Sequence, residues 1–263
     1  MEKWQKVLNK FLEKYENEDY YEGAIACGSF VSGNNNKFSD IDVHIVLKRG
    51  NEWRERGNLM VDGFLIEYFA NPVNKYECYM DEEKTERGNH TTMMFARGVI
   101  VSDKNGEVKK LKEKALEMEN IDLPDITEFD LLSSKYGCWD KLDELKAIYY
   151  ENRDNFYLAY YELYKSLITL HGKVKKIREF SLTKLDKLLD SKTFRDKYGI
   201  SKFYDEYDTN IIKRCMIIDT KEEMMNKIIN FYNYVMEISG GFDINKFVLR
   251  SEVKWLILKK MKN

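Results

Sequence analysis

The stretch GSFVSGNNNKFSDIDVHIVL, residues 28–47, carries the pattern that decides the fold. In its second half, apolar residues occupy every other position over residues 41–47, while Asp40 and Asp42 occupy the positions that point the other way. Such alternation predicts a strand with one apolar face and one polar face. The apolar residues 24–27, directly before this stretch, predict a second short strand that stops at the Gly-Ser pair. The region therefore predicts part of a β-sheet.

Two apolar runs farther along the chain, residues 59–61 and 64–66, flank Asp62-Gly63. An Asp-Gly pair between apolar runs is a strong signal for a β-hairpin, because both residues tolerate the positive φ angles of a tight turn. Spacing predicts three further elements in this part of the chain: amphipathic helices at residues 4–15 and 107–117, and a short strand at residues 99–101.

After Pro124 the pattern changes, because strand signals stop and long helical periodicities follow. The predicted helices cover roughly residues 128–150, 155–170, 182–189, 221–238 and 252–261. The expected fold class is α+β. A catalytic domain at residues 1–124 would contain a small mixed β-sheet flanked by helices, and an all-helical bundle domain at residues 125–263 would bind the acceptor.

The composition is typical of a soluble globular protein, with 43% hydrophobic and 33% charged residues. A formal net charge of −2 provides no overall field that would select nucleic acid or a membrane surface. The four cysteines contain no CxxC pair, so neither a zinc site nor a disulfide framework is predicted. Without a signal-like or membrane-spanning apolar run, the expected location is the cytoplasm.

Two aspartates at positions i and i+2 of a strand place both carboxylates on one face, where they repel each other. At 4 Å that repulsion costs from about 1 to about 4 kcal/mol, depending on the local dielectric. A divalent cation would relieve it, and Mg²⁺ prefers oxygen ligands of this kind. Asp40 and Asp42 are therefore candidate metal ligands.

The residues before the aspartates predict a site for phosphate. Gly28 allows the backbone to approach a ligand closely, Ser29 offers a hydroxyl, and the turn after them presents free N–H groups. Ser39, directly before Asp40, offers a second hydroxyl. Together these residues predict that a phosphate group lies beside a metal site.

The run Cys27-Gly28-Ser29, ten residues, and then Asp40-Ile41-Asp42-Val43 resembles the signature of the DNA polymerase β-like nucleotidyltransferase superfamily. The longer string 28–47 looks most like the aminoglycoside and lincosamide nucleotidyltransferases. The resemblance implies that Gly28 and Ser29 contact the β- and γ-phosphates of an NTP and that Asp40 and Asp42 bind two catalytic Mg²⁺ ions. A third acid in this superfamily usually comes from a neighbouring strand, and Glu67, after the second hairpin run, is the best candidate.

The resemblance implies a reaction in which a nucleoside monophosphate is transferred from an NTP, expected to be ATP, to a hydroxyl group. The expected partners are the NTP and a small molecule of the aminoglycoside or lincosamide kind, with no membrane and no nucleic acid. One alternative is a protein or RNA acceptor, as in the nucleotidyltransferases of toxin–antitoxin pairs, and another is a non-catalytic nucleotide-binding module. Base preference and oligomeric state are left open, a homodimer included.

Three expectations about the site are less specific than these. The resemblance implies a general base from the helical domain, for which six acids are possible by position: Asp140, Asp143, Glu144, Glu151, Asp154 and Glu162. Glu144, in the first long helix after Pro124, is the candidate that the resemblance favours, against the ordinary alternative of a solvated helix acid. Lys184 is a candidate nucleotide contact, against the same alternative. Many relatives have a basic residue where this chain has Ser32, and Lys37 is the nearest substitute.

Other polar residues are expected to be structural. His44 shares the predicted face of the acids, but a lone histidine there is expected to be a half-buried neighbour and not a ligand. His90 and His171 have no partners at the spacing of metal ligands. The acidic and aromatic cluster at residues 203–208 suits a cationic ligand but is more typical of a polar turn between helices.

Overall fold

The computed structural model describes residues 1–119 and 121–251. These residues form two compact units. The first consists of Met1–Pro124 and Lys176–Phe203, and the second of Asp125–Lys175 and the described residues from Tyr204 onward. The helix predicted at residues 252–261 lies outside the described residues.

The first unit contains a five-stranded mixed sheet with the order β3-β4-β2-β1-β5. β2 and β4 are parallel, and the other neighbouring pairs are antiparallel. The predicted hairpin is confirmed, and Asp62 and Gly63 have φ angles of 48° and 83° at its turn. The strands are β1 Tyr21–Cys27, β2 Ile41–Leu47, β3 Glu55–Val61, β4 Phe64–Pro72 and β5 Val99–Asp103.

The helices of the described residues are numbered along the chain. They are α1 Lys3–Glu16, α2 Gly28–Ser32, α3 Val73–Glu82, α4 His90–Arg97, α5 Glu107–Met118, α6 Glu128–Tyr150, α7 Phe156–Val174, α8 Leu185–Asp190, α9 Lys192–Lys197, α10 Glu206–Met216 and α11 Lys221–Ile238. The predicted α+β fold, with a mixed sheet near the N-terminus and a helical region after it, is confirmed. None of the helices in the described ranges is both long and apolar enough to cross a membrane.

The alternation in β2 decides which face of the sheet carries the polar residues. Ile41, Val43 and Ile45 are buried in one cluster with the apolar face of α1. On the other face of the sheet, Val46 and Phe95 belong to a second buried cluster that α3, α4 and α5 contribute to. Asp42 and the other polar residues of β2 therefore lie on the face that α4 covers, as the alternation predicts.

The segment 176–203 belongs to the same compact unit as the N-terminal part of the chain, whereas the helices before and after it in the sequence belong to the second unit. The backbone N–H of Glu179 donates to the carbonyl of Arg87, and Nε of Arg87 donates to the carbonyl of Ile177, both at 2.9 Å. A single boundary near Pro124 does not capture this arrangement. The assignment of catalysis to residues 1–124 and acceptor binding to residues 125–263 remains a prediction.

The second unit contains a buried polar network that explains the cluster at residues 203–208. The carboxylate of Asp208 lies 3.0 Å from the His171 ring and 3.1 Å from the Lys175 ammonium, and it accepts a 2.6 Å hydrogen bond from Tyr234. Asp205 caps α10 by accepting from the backbone N–H of Asp208. These acids stabilise a helix start and a buried cation, so their placement needs no cationic ligand.

Candidate functional site

Three carboxylates converge where β2 and β4 run side by side. Parallel pairing places Asp42 of β2 directly opposite Glu67 of β4, and Asp40 lies just before β2. One oxygen from each of the three side chains lies within 4.8 Å of the others. Two acids predicted from a strand and a third predicted from a hairpin are thus brought into one cluster.

The charge on this cluster is poorly compensated within the protein. Burial, and after it the negative charges of Asp40 and Glu67, raise the pKa of Asp42 to about 7, and the Lys184 ammonium opposes this rise. The carboxyl group of Asp42 thus resists ionisation until a cation approaches. Oxygen ligands this close together suit a hard divalent cation such as Mg²⁺, so the residues present fit such an ion.

Gly28 is required by the close approach of the α2 turn to the acids. Its φ angle is +76°, and a Cβ atom at this position would collide with Oδ2 of Asp42. Only glycine combines this left-handed backbone with the absence of a side chain. The turn therefore lies directly against the second aspartate, and Ser29 follows as the next residue of α2.

A pocket of about 550 Å³ opens over the acids and the turn. It brings together the candidate site residues Gly28, Ser29, Ser39, Asp40, Asp42, Glu67 and Lys184. Lys187 and Lys197, from α8 and α9, line the same pocket, and Nζ of Lys197 lies 3.4 Å from Oδ1 of Asn34. The segment 176–203 thus supplies three ammonium groups and the carboxylate of Asp196 to the pocket that contains the three clustered acids.

These lysines bear on the basic residue that Ser32 replaces. The Ser32 hydroxyl donates a hydrogen bond to the carbonyl of Ser29, at 3.3 Å, within the same short helix. Lys37, the substitute predicted from sequence, is exposed, and its ammonium lies 4.8 Å from the ring centre of Phe38. Among the described residues that line the pocket, positive charge comes from Lys184, Lys187, Lys197 and Arg97, and Lys37 is not one of them.

Arg56 is a site neighbour that sequence reasoning missed. Its Nη2 atom donates to Oε1 of Glu67 at 2.8 Å, and its guanidinium lies 4.8 Å from the ring centre of Phe69. The hairpin pairs Arg56 with Phe69 and Asn58 with Glu67, so Arg56 lies diagonally opposite the acid. The Asp-Gly turn determines this register, so the sequence contained the signal.

His44 lies on the face of the acids, but its ring is used in packing. The ring stacks on Phe69 at 5.2 Å, Nδ1 lies 3.3 Å from the Tyr76 hydroxyl, and Nε2 lies 3.0 Å from Sδ of Met94. Burial lowers the pKa of His44 to about 4, so the ring is neutral near pH 7. This agrees with the expectation that His44 is a neighbour of the site.

Glu144 is placed differently from the other candidates. It is exposed on α6, which belongs to the second unit. Its role as a general base therefore stays a prediction. Lys184, which had only a weak signal in the sequence, lies in the first unit and lines the acidic pocket.

Comparison with known proteins identifies a domain in the first half of the chain. Residues 5–122 match the model of the nucleotidyltransferase domain family. No curated protein matches the chain. Among solved structures, the chain is similar to a nucleotidyltransferase-like protein from Exiguobacterium sibiricum, with a TM-score of 0.44 and 10% sequence identity, covering 90% of this chain and 77% of the other. The domain match supports nucleotidyl transfer as the class of reaction.

Gly28→Ala and Gly33→Ala form a matched pair that isolates the contact with Asp42. Both glycines have a positive φ angle, but a Cβ atom at Gly33 would meet no atom within 4 Å. Gly33→Ala is expected to lose about 1–2 kcal/mol of unfolding free energy from backbone strain alone, and Gly28→Ala should lose more, because the collision with Asp42 adds to the same strain. Only Gly28→Ala is expected to weaken Mg²⁺ binding, by about tenfold or more, in isothermal titration. Equal Mg²⁺ affinity in the two variants would contradict the packing argument.

The raised pKa of Asp42 predicts how the stability of the metal-free protein depends on pH. Because the folded pKa of about 7 lies above the ordinary value of 3.8, the folded chain keeps a proton between these values that the unfolded chain has lost. The free energy of unfolding should therefore fall as the pH rises from about 4 to 7. Asp42→Asn removes this contribution. With EDTA present, melting temperatures of the wild type and the variant should diverge over this range, with the variant the more stable at pH 8; a constant difference would refute the assignment.

Proposed function

We propose that this chain is a metal-dependent enzyme that transfers a nucleoside monophosphate from an NTP, with ATP as the expected donor, to a hydroxyl of a small molecule. One observation carries the proposal. The carboxylates of Asp40, Asp42 and Glu67 lie within 4.8 Å of one another, against a glycine turn and across a pocket from lysines. This arrangement suits an anionic triphosphate better than a neutral or cationic ligand.

The residues divide the work between the metal and the phosphates. Asp40, Asp42 and Glu67 would hold Mg²⁺, with two ions expected; when bound, the metal neutralises charge on the reacting phosphate oxygens and helps to activate the attacking hydroxyl. The turn at Gly28 and Ser29 would bind the terminal phosphates through backbone N–H groups and a hydroxyl. Lys184, Lys187 and Lys197 would bind the triphosphate and orient its α-phosphate over the acids.

The proposed acceptor is a small molecule that carries a hydroxyl group. A small molecule of the aminoglycoside or lincosamide kind follows from the resemblance in residues 28–47. Deprotonation of its hydroxyl is proposed for Glu144, on the same basis. The exposed position of Glu144 on α6 is compatible with a residue that meets a ligand, although exposed acids on helices are common without one.

The proposed reaction can be tested by following the α-phosphate of each NTP. With Mg²⁺ and ³²P at the α-position, label should move to a small hydroxyl compound while pyrophosphate is released. Asp40→Asn and Asp42→Asn should each reduce this transfer by at least about a hundredfold, because each removes a charged ligand. Label recovered in protein or RNA would instead identify a macromolecular acceptor. If the NTPs bind but no acceptor compound is labelled, and neither substitution changes NTP binding, the non-catalytic alternative is favoured.

Glu67→Gln tests the third acid separately from the fold. The substitution is isosteric, so turnover should fall by orders of magnitude while the melting temperature stays within about 2 °C of the wild type. Glu55→Gln is the control, because Glu55 lies on β3 next to Arg56 but bonds to the hydroxyl of Tyr68. It should retain wild-type turnover. If Glu67→Gln also does so, Glu67 does not bind the catalytic metal.

A further inference from the structure

A second pocket, of about 240 Å³, lies in the first unit beside the acidic one. Its walls come from α4, from residues 121–123 and from the segment 176–202. Most of the lining surface is apolar, and Met93, Met94, Phe180, Leu188, Tyr198 and Ile200 contribute to it, while seven charged residues also line the space: Glu119, Asp122, Lys176, Arg178, Glu179, Lys184 and Lys202. Its polar groups include the hydroxyls of Ser181 and Ser201. We call this space the side pocket.

The side pocket adjoins the acidic pocket. Met93, Met94, Lys184 and Tyr198 line both spaces. At this shared boundary, Nζ of Lys184 lies 4.5 Å from the ring centre of Tyr198, and the charge of Lys184 also reaches Asp42. A ligand with phosphates at Lys184 would therefore have its next group beside an aromatic ring.

The walls of the side pocket are held in place by several contacts within the first unit. Nη2 of Arg178 donates to the carbonyl of Ile121 at 2.9 Å. The buried Glu119 accepts a 2.6 Å hydrogen bond from Nε of Arg97, and Gly199, with φ of +64°, packs so closely that a Cβ atom would collide with Glu119. Gly199 thus packs directly against Glu119, the residue that follows α5, and close to Arg97 of α4.

We infer that the side pocket binds the nucleobase of the NTP. This inference rests on the proposed function. A volume of about 240 Å³ is too small for a whole nucleotide but suits a flat heterocycle, and apolar walls with a few polar atoms are typical of such subsites. The ring of Tyr198 offers a stacking surface, and Ser181 and Ser201 offer hydroxyls to the edge of a base. The triphosphate would extend past Lys184 to the turn at Gly28.

The position of the side pocket favours the nucleobase over the acceptor as its occupant. The boundary between the two pockets contains Lys184, a cation, and in an NTP the ribose links the base to the triphosphate, so a base in the side pocket would leave its ribose at this boundary and its phosphates on the acidic side. Glu67 forms an ion pair with Arg56, and Arg56 does not line the side pocket. The acceptor hydroxyl must approach the α-phosphate opposite the leaving pyrophosphate, so the acceptor and the base need separate spaces.

The test compares two ligands that share phosphates but differ in the base. Binding of Mg²⁺ with a non-hydrolysable ATP analogue and binding of Mg²⁺ with inorganic tripolyphosphate are measured by isothermal titration. Ile200→Trp places a large ring in the side pocket, and Thr193→Trp adds the same ring at an exposed position on α9 outside both pockets. Ile200→Trp should weaken the ATP analogue at least about tenfold and tripolyphosphate less than about twofold. Thr193→Trp should change neither.

Tyr198→Ala and Tyr198→Phe provide a second comparison that does not depend on filling the pocket. The Phe variant keeps the ring and should bind the ATP analogue like the wild type, whereas the Ala variant should weaken the ATP analogue about tenfold more than it weakens tripolyphosphate, because Tyr198 also lines the acidic pocket and contacts Lys184. If every variant binds both ligands like the wild type, or raises only the KM of an acceptor, the nucleobase assignment is wrong while the proposed function stands. If the wild type binds neither ligand, the proposed function fails and the inference fails with it.

Discussion

Repulsion among three carboxylates is the constraint on which the candidate site depends. β2 and β4 are parallel and in a register that sets Asp42 against Glu67, with Asp40 one residue before β2. A protein gains no stability from concentrating negative charge on a partly buried strand face, as the raised pKa of Asp42 shows. The arrangement is therefore better explained by a cationic ligand than by stability.

Two other features can be understood as consequences of this constraint. The chain turns directly over the acids, which only glycine permits at position 28, and this keeps side chains out of the space above Asp42. The segment 176–203 returns to the first unit and brings Lys184, Lys187 and Lys197 to face the carboxylates. A bound metal ion would then neutralise the carboxylates, and the phosphates of a bound NTP would neutralise the lysines.

The parts of the fold that local pattern determines were predictable from the sequence. Alternation in β2 gave the correct face for Asp42, and the Asp-Gly turn gave the hairpin that carries Glu67. α6 and α11 were predicted with the bounds observed, because long periodic helices have a strong signal. Predictions at this level depend on neighbours in the chain, and the chemistry of the acids follows from the same short stretch.

What the sequence did not reveal depends on contacts between distant segments. α3 and α4 were not predicted, and α4 forms a wall common to both pockets. Hydrogen bonds to residues about ninety positions earlier in the chain connect the segment 176–203 to the first unit. No local sequence pattern predicts such contacts. From the sequence alone, Lys187 and Lys197 therefore cannot be distinguished from other exposed lysines on a helix.

The location of the residues also separates the two halves of the proposed reaction. All the candidates for phosphate, metal and nucleobase lie in the first unit, whereas Glu144, the candidate for the acceptor, lies in the second. Phosphoryl chemistry needs the same charges whatever the acceptor is, because the reacting phosphate does not change. Recognition of an acceptor needs a surface specific to that molecule. The short acidic motif therefore supports a proposal about how the phosphate is handled, and the assignment of the acceptor to the helices of the second unit is a separate prediction that this motif does not support.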